Sequence, residues 1–285
     1  MIEQLRYVRL ATDDIAEAAN FAGRVLGLEA IDRSEELATY RSDHRDYTLA
    51  FATGKQAVQS VGLEVRYPDD LDSATERLSK LGIEAQRGSG DDCALRKVKD
   101  MLFFHDASGN RIELVVRPMN SGWRYFPSRD AGIKGLAAAI LRSRHVENDM
   151  AIWTALGAKV SDWAGDAAYL SFDDAHHRIM LYPAEKSGVL AVEFEVESVN
   201  LLMRNYYVLQ NLQVPVAHGP GRRPASEQLF LTFPGPGGVL FSFVAEGLNG
   251  PPPRARQFAA GPEGLCGWGS TCKIAEFNAA SRMAD

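Results

Sequence analysis

The sequence predicts an α+β fold: paired βαβββ modules, two in tandem, each forming a curved mixed sheet around a cup. Three observations lead there. The chain repeats itself with a period of about 130 residues. Strand-like and helix-like hydrophobic patterns follow one another in the same order in both halves. Proline- and glycine-rich breaks stand where the halves join and where the second one ends.

The elements follow in order. Leu5-Arg6-Tyr7-Val8-Arg9-Leu10 reads as a strand, and Asp13 and Asp14 are N-cap candidates for an amphipathic helix that leads to Leu26-Gly27-Leu28. The second half repeats this with Gly135-Leu136-Ala137-Ala138-Ala139-Ile140, a helix, and Leu156-Gly157-Ala158. Gly62-Leu63-Glu64-Val65 introduces a helix around 71–81, as Val192-Glu193-Phe194-Glu195-Val196 introduces one around 199–212. The turn beginning His105-Asp106-Ala107-Ser108-Gly109 has its counterpart in Pro234-Gly235-Pro236-Gly237-Gly238. Two unrelated α+β domains of similar size are the competing reading, and agreement in both spacing and order argues against it. Residues 1–118 form a mainly structural first module, 119–130 a linker, and 131–247 the module with the candidate pocket. Gly250-Pro251-Pro252-Pro253 cannot continue a strand or helix, so 248–285 is a tail.

Composition narrows the function. Hydrophobic residues make up 46% and charged residues 24%, with no apolar run long enough for a membrane span. A net charge of −6 with dispersed basic residues gives no footprint for nucleic acid. Cys93, Cys266 and Cys272 are odd in number and lack zinc-site spacing, which fits a reducing compartment. The first ten residues do not read as a secretory signal, so a cytoplasmic location is expected. A small molecule is the expected partner, with neither nucleic acid nor membrane.

His218-Gly219-Pro220-Gly221-Arg222-Arg223, then Phe230 and Phe233, then Pro236 and Gly238, resembles the signature of the type I extradiol dioxygenases of the vicinal-oxygen-chelate superfamily, particularly the dihydroxybiphenyl-cleaving branch. Asp174-Ala175-His176-His177 resembles that family's paired-histidine segment, and Gly267-Trp268-Gly269 part of its C-terminal tail. The resemblance implies the vicinal-oxygen-chelate fold and a two-histidine, one-carboxylate triad holding Fe(II) or Mn(II). Carried over, the first histidine falls on Leu136, the second on Ala191 or its neighbour Leu190, and the carboxylate on Ser242, none of which replaces its ligand. The tyrosine ten residues before the carboxylate is Thr232, and the histidine of Gly-Arg-His is Arg223. The equivalent first-module positions are Tyr7, Ser60 and Glu113. Only His177 matches the family's acid-base histidine.

The expected cofactor is therefore none, with Fe(II) or Mn(II) only if other ligands serve. His177 is the catalytic candidate, poised near neutral pH, or else a structurally satisfied strand histidine. Period-two alternation sets His176 and His177 on opposite faces. Arg223, Thr232, Ser242, Leu136 and Ala191 are candidate ligand-binding residues: Leu136 and Ala191 as apolar wall, and Arg223 as a clamp for a carboxylate or phenolate unless it is a solvated loop residue. Glu113 reads as a buried structural acid rather than a metal ligand, His105 as a loop residue, and His44, His145 and His218 as surface residues. The expected function is an extradiol-dioxygenase-like protein that binds or transforms, without metal, a small aromatic or ring-derived metabolite. The competing readings are a metal-dependent dioxygenase with other ligands and a noncatalytic binding protein. Homo-oligomers are expected too, because Phe258, Leu265 and Trp268 lie on a tail too short to make its own core.

Overall fold

The computed structural model describes residues 1–269 and 271–279. In the first module, β1 (Ile2–Ala11) leads through α1 (Ile15–Asn20) to β2 (Glu29–Arg33), β3 (Leu37–Arg41) and β4 (Leu49–Ala52). Then β5 (Ser60–Val65) leads through α2 (Pro68–Lys80) to β6 (Ala85–Arg87), a short α3 (Gly90–Arg96), β7 (Asp100–His105) and β8 (Arg111–Val116). The second module repeats the order with β9 (Ile133–Ser143), α4 (Val146–Ala155), β10 (Lys159–Ala164), β11 (Ala167–Ser171) and β12 (Ile179–Pro183). Its other half is β13 (Gly188–Val196), α5 (Val199–Asn211), β14 (His218–Arg222), β15 (Leu229–Pro234) and β16 (Leu240–Ala245). The tail adds β17 (Arg256–Phe258), α6 (Pro262–Leu265), β18 (Trp268–Gly269) and α7 (Ala275–Ala279).

The repeated landmarks recur because the backbone needs them. Asp14 caps α1, its carboxylate accepting from the amides of Ala16 and Glu17. The helical turn that follows ends at Gly27 with φ 84°, and the turn after α4 holds Gly157 at φ 102°. Both are left-handed positions that glycine adopts without a Cβ penalty. That explains the Leu-Gly pair in each half.

The sheets share one topology. The first runs β2-β3-β4-β1-β5-β8-β7-β6, and the second runs β10-β11-β12-β9-β13-β16-β15-β14 flanked by β17 and β18 from the tail. In both, the first strand of each half pairs antiparallel at the centre, with parallel pairing to β4 and β8, or to β12 and β16, on either side. This is the two-module mixed-sheet architecture of the vicinal-oxygen-chelate fold.

One hydrophobic core joins the helix-covered faces of both sheets. Leu63, Leu71 and Leu78 of the first module belong to the same buried cluster as Trp153, Phe194 and Leu202 of the second. Phe241 meets Phe21 at 4.9 Å and Phe51 at 6.4 Å, so an aromatic ring on β16 is packed among first-module rings. The opposite faces form the two cups, and each is closed differently. In the first, α3 lies over the mouth and sends Arg96 to Glu113. In the second, Leu265, Cys272, Ile274 and Phe277 of the tail pack against Tyr169, Tyr182 and Ala191. The sequence signalled neither closure. The tail's apolar groups largely serve its own module, leaving Trp268 57% exposed. Among the described residues, no helix is long and apolar enough to cross a membrane.

Candidate functional site

The second cup is built around buried charge. Glu193 lies on β13 two residues beyond Ala191, so the pleat sets both on the cup face. Its carboxylate receives Nη1 of Arg223 at 3.0 Å and Nη2 at 2.5 Å, while the Arg223 guanidinium lies over the Phe230 ring at 5.1 Å. Burial pushes the Glu193 carboxyl up, but the Arg223 guanidinium outweighs it and holds it down at about 2. Arg223 is therefore neither solvated nor free to clamp a ligand, because its charge is already met inside the protein. Sequence reasoning missed Glu193, although Ala191 was placed on the cup and alternation carries the same face to 193.

A chain of bonds leads away from this pair. His177 Nδ1 lies 3.1 Å from His176 Nδ1, and His176 Nε2 lies 2.8 Å from Asp162 Oδ2. Asp162 in turn receives Arg256 from the tail through the backbone amide, Nε and Nη2. Burial raises the Asp162 carboxyl, but Arg256 and His176 hold it below the usual range, so it is ionised at neutral pH. The tautomers follow. His176 donates from Nε2 to Asp162, accepts at Nδ1 from His177, and leaves His177 Nε2 as a bare lone pair. That nitrogen is buried and meets no hydrogen-bond partner; Glu193 Oε2, at 3.7 Å, is too far to bond.

The remaining candidates fall in different places. Both histidines point inward, because 172–178 is a turn and not the strand on which alternation would part them; their rings meet edge-on at 5.3 Å. Thr232 and Ser242 face each other across β15 and β16 and bond at 2.8 Å. Ala191 sits in the cup cluster. Leu136 does not: it belongs to the helix-side core, while Ala137 packs toward the cup with Phe230 and Val244. The cause is a bulge, since β13 pairs Glu193 with Ala138 and Phe194 with Leu136, leaving Ala137 as the extra residue. His218 is buried against Phe230, not on the surface. Glu113 is bound by Tyr7, Arg96 and Arg111.

Residues 4–114 match the model of the glyoxalase/bleomycin resistance protein/dioxygenase superfamily. The match spans the first module. Across both modules the chain is similar to a 1,2-dihydroxynaphthalene dioxygenase of Sphingobium xenophagum, 24% identical over 85% of this chain and 88% of the relative. It is likewise similar to an iron-dependent extradiol dioxygenase of Rhodococcus jostii strain RHA1, 24% identical over 86% of this chain and 90% of that one. The solved structure of a halotolerant catechol dioxygenase shares the fold, with a TM-score of 0.88, 20% identity and 98% of each chain covered. These relatives overturn the expectation of no cofactor, since one of them is named for its iron. The described residues do not fit such a metal at the expected place. Ala191 and Ser242, expected at two of the ligand positions, carry no metal-binding group of the family's kind, and no group of three His, Cys, Asp or Glu side chains converges among the described residues.

Buried histidines make the fold sensitive to acid. Burial lowers His176 to about 4 with help from neighbouring His177, lowers His218 to about 4 with help from Arg223, and lowers His177 as well. Between about pH 4 and 6.5 the unfolded chain thus holds protons that the folded chain lacks, so these groups add stability above 6.5 that is lost as the pH falls. Asp106 acts oppositely: burial and neighbouring Asp149 raise it to about 7, so its contribution is full below 3.8 and lost as pH rises to 7. The expected result at pH 5.5 is a net uptake of protons on unfolding. Calorimetry in buffers of different ionisation enthalpy measures it, and proton release would show the assignment to be wrong.

Proposed function

We propose that the second cup binds a small aromatic or ring-derived compound bearing a ring hydroxyl, and that His177 Nε2 takes the hydroxyl proton. The observation that carries this reading is the buried, unpartnered Nε2 lone pair at the inner end of the relay. Burial makes His177 a weak base, so one imidazole alone would hold such a proton poorly. The relay offers a way out. As Nε2 gains a proton, Nδ1 passes its own to His176, whose Nε2 proton moves toward Asp162 beside the half-exposed Arg256. The Arg223–Glu193 pair fixes the floor. Ile274 and Phe277 must part from the cup before a ligand enters.

The relatives' substrates, catechol and 1,2-dihydroxynaphthalene by name, support a ring diol as ligand. Titrating the protein with both diols while recording ultraviolet absorbance tests the reading. Wild type is expected to bind with the red-shifted band of a phenolate. His177→Gln keeps a hydrogen-bonding group but no base, so it is expected to bind without that band. If turnover accompanies binding, it should fall about 10²–10⁴-fold in His177→Gln. Absence of binding, or an unchanged band in the variant, would overturn the proposal.

A further inference from the structure

The tail enters the second cup with a ring and a carboxylate side by side. The buried Phe277 ring packs edge-on against Tyr182 at 4.8 Å and His218 at 6.4 Å. The Glu276 carboxylate beside it receives Arg142, with Nε at 2.8 Å and Nη2 at 2.7 Å from the same oxygen. Arg142 is 8% exposed, gives Nη1 to the Val189 carbonyl at 2.9 Å, and has no other carboxylate within 4 Å among the described residues. Bonds to the tail backbone complete the seat: the Tyr182 hydroxyl donates to the Glu276 carbonyl at 3.2 Å, and the Lys273 amide donates to the Ala217 carbonyl at 2.8 Å.

Strand register places this seat in the same cup as His177. Arg142 on β9 pairs with Tyr182 on β12, and one pleat repeat back Ile140 pairs with Met180, which pairs with Tyr169 on β11. Directly paired residues share a face, and Tyr169, Met180, Ile140 and Tyr182 all belong to the buried cluster of the cup. Tyr169 in turn meets the His177 ring at 5.0 Å. The row of Tyr169 and the row of Arg142 therefore lie one pleat repeat apart, roughly 7 Å. That is comparable with the span of one benzene ring carrying a substituent at each end.

We propose that Glu276 and Phe277 occupy the seat of the ligand itself, and that this ligand is an aromatic carboxylate: its ring displaces Phe277 and its carboxylate takes Arg142 from Glu276. The inference rests on the reading that the cup binds a ring hydroxyl at His177, and it adds what the far end of the ligand carries. A buried arginine that loses its carboxylate is costly. A ligand without a carboxylate would strand Arg142 as the tail withdraws, whereas one that brings its own leaves the pairing intact, and the planar guanidinium accepts either by the same fork. Glu276 sits at the rim with its side chain 34% exposed, so its release into water costs little. The tail is thus an internal competitor matched to one class of ligand.

Calorimetric titration of the full chain with 3,4-dihydroxybenzoate and catechol, which differ by the carboxyl group alone, tests the inference. Wild type is expected to bind 3,4-dihydroxybenzoate the more tightly. In Glu276→Gln, which keeps the shape of the tail but removes its charge, that preference should widen to about ten-fold or more. In Arg142→Met it should vanish. Binding of 3,4-dihydroxybenzoate should also speed tryptic cleavage after the exposed Lys273, because the tail is released, a change that a purely structural ion pair would not produce. Equal binding of the two diols in wild type and Glu276→Gln, a preference that survives Arg142→Met, or cleavage indifferent to ligand would each overturn the inference. Where catechol still binds with its phenolate band, the His177 reading outlives that failure; binding of neither diol to wild type or Glu276→Gln overturns both.

Discussion

Replacing Glu193 with alanine is expected to lower the unfolding free energy by about 3–5 kcal/mol in urea titration. The reason is what remains. Arg223 is 8% exposed and Glu193 is its only carboxylate within 4 Å among the described residues, so removing Glu193 strands a desolvated guanidinium and opens a gap beneath His177. Arg223→Ala should cost a similar amount by stranding Glu193. The double replacement Glu193→Leu with Arg223→Met is expected to lose less than either single change, because no unpaired charge is left behind. A loss below about 1 kcal/mol in Glu193→Ala would mean that water or another anion takes over the pairing.

Phe241→Ala is expected to cost about 3–5 kcal/mol and to separate the unfolding of the two modules. The ring is fully buried and lies within 4.9 Å of Phe21 and 6.4 Å of Phe51. Gly235 stands against it so closely that a Cβ there would lie 2.5 Å from the ring, which shows how little slack surrounds it. Removing the ring leaves a cavity where the modules meet, and packing there cannot close it without moving a strand. Differential scanning calorimetry should then resolve two transitions where wild type shows one. A single transition with a small shift would place the coupling elsewhere in the core.

Fold and site differ in how far they can be read along the chain. The Leu-Gly pairs and the glycine turns are visible because a left-handed backbone position selects glycine locally, whatever surrounds it. Alternation shows the strands for a similar reason. The His176–His177 error came from extending alternation into a turn, and the Leu136 error from a bulge that adds one residue to β9. A single extra residue moves a side chain to the other face, and nothing in the neighbouring residues announces it.

By itself, the sequence determined the two-module α+β architecture and the order of its repeated landmarks, since each depends on residue type and spacing along the chain. Only tertiary structure decided the pairing of Arg223 with Glu193, the relay from His177 to Asp162, and the pairing of Arg142 with Glu276. It also decided that the tail fills the second cup and α3 covers the first. Those features join residues tens of positions apart. A charge's partner is set by strand register and burial, and neither is written in the residues beside it.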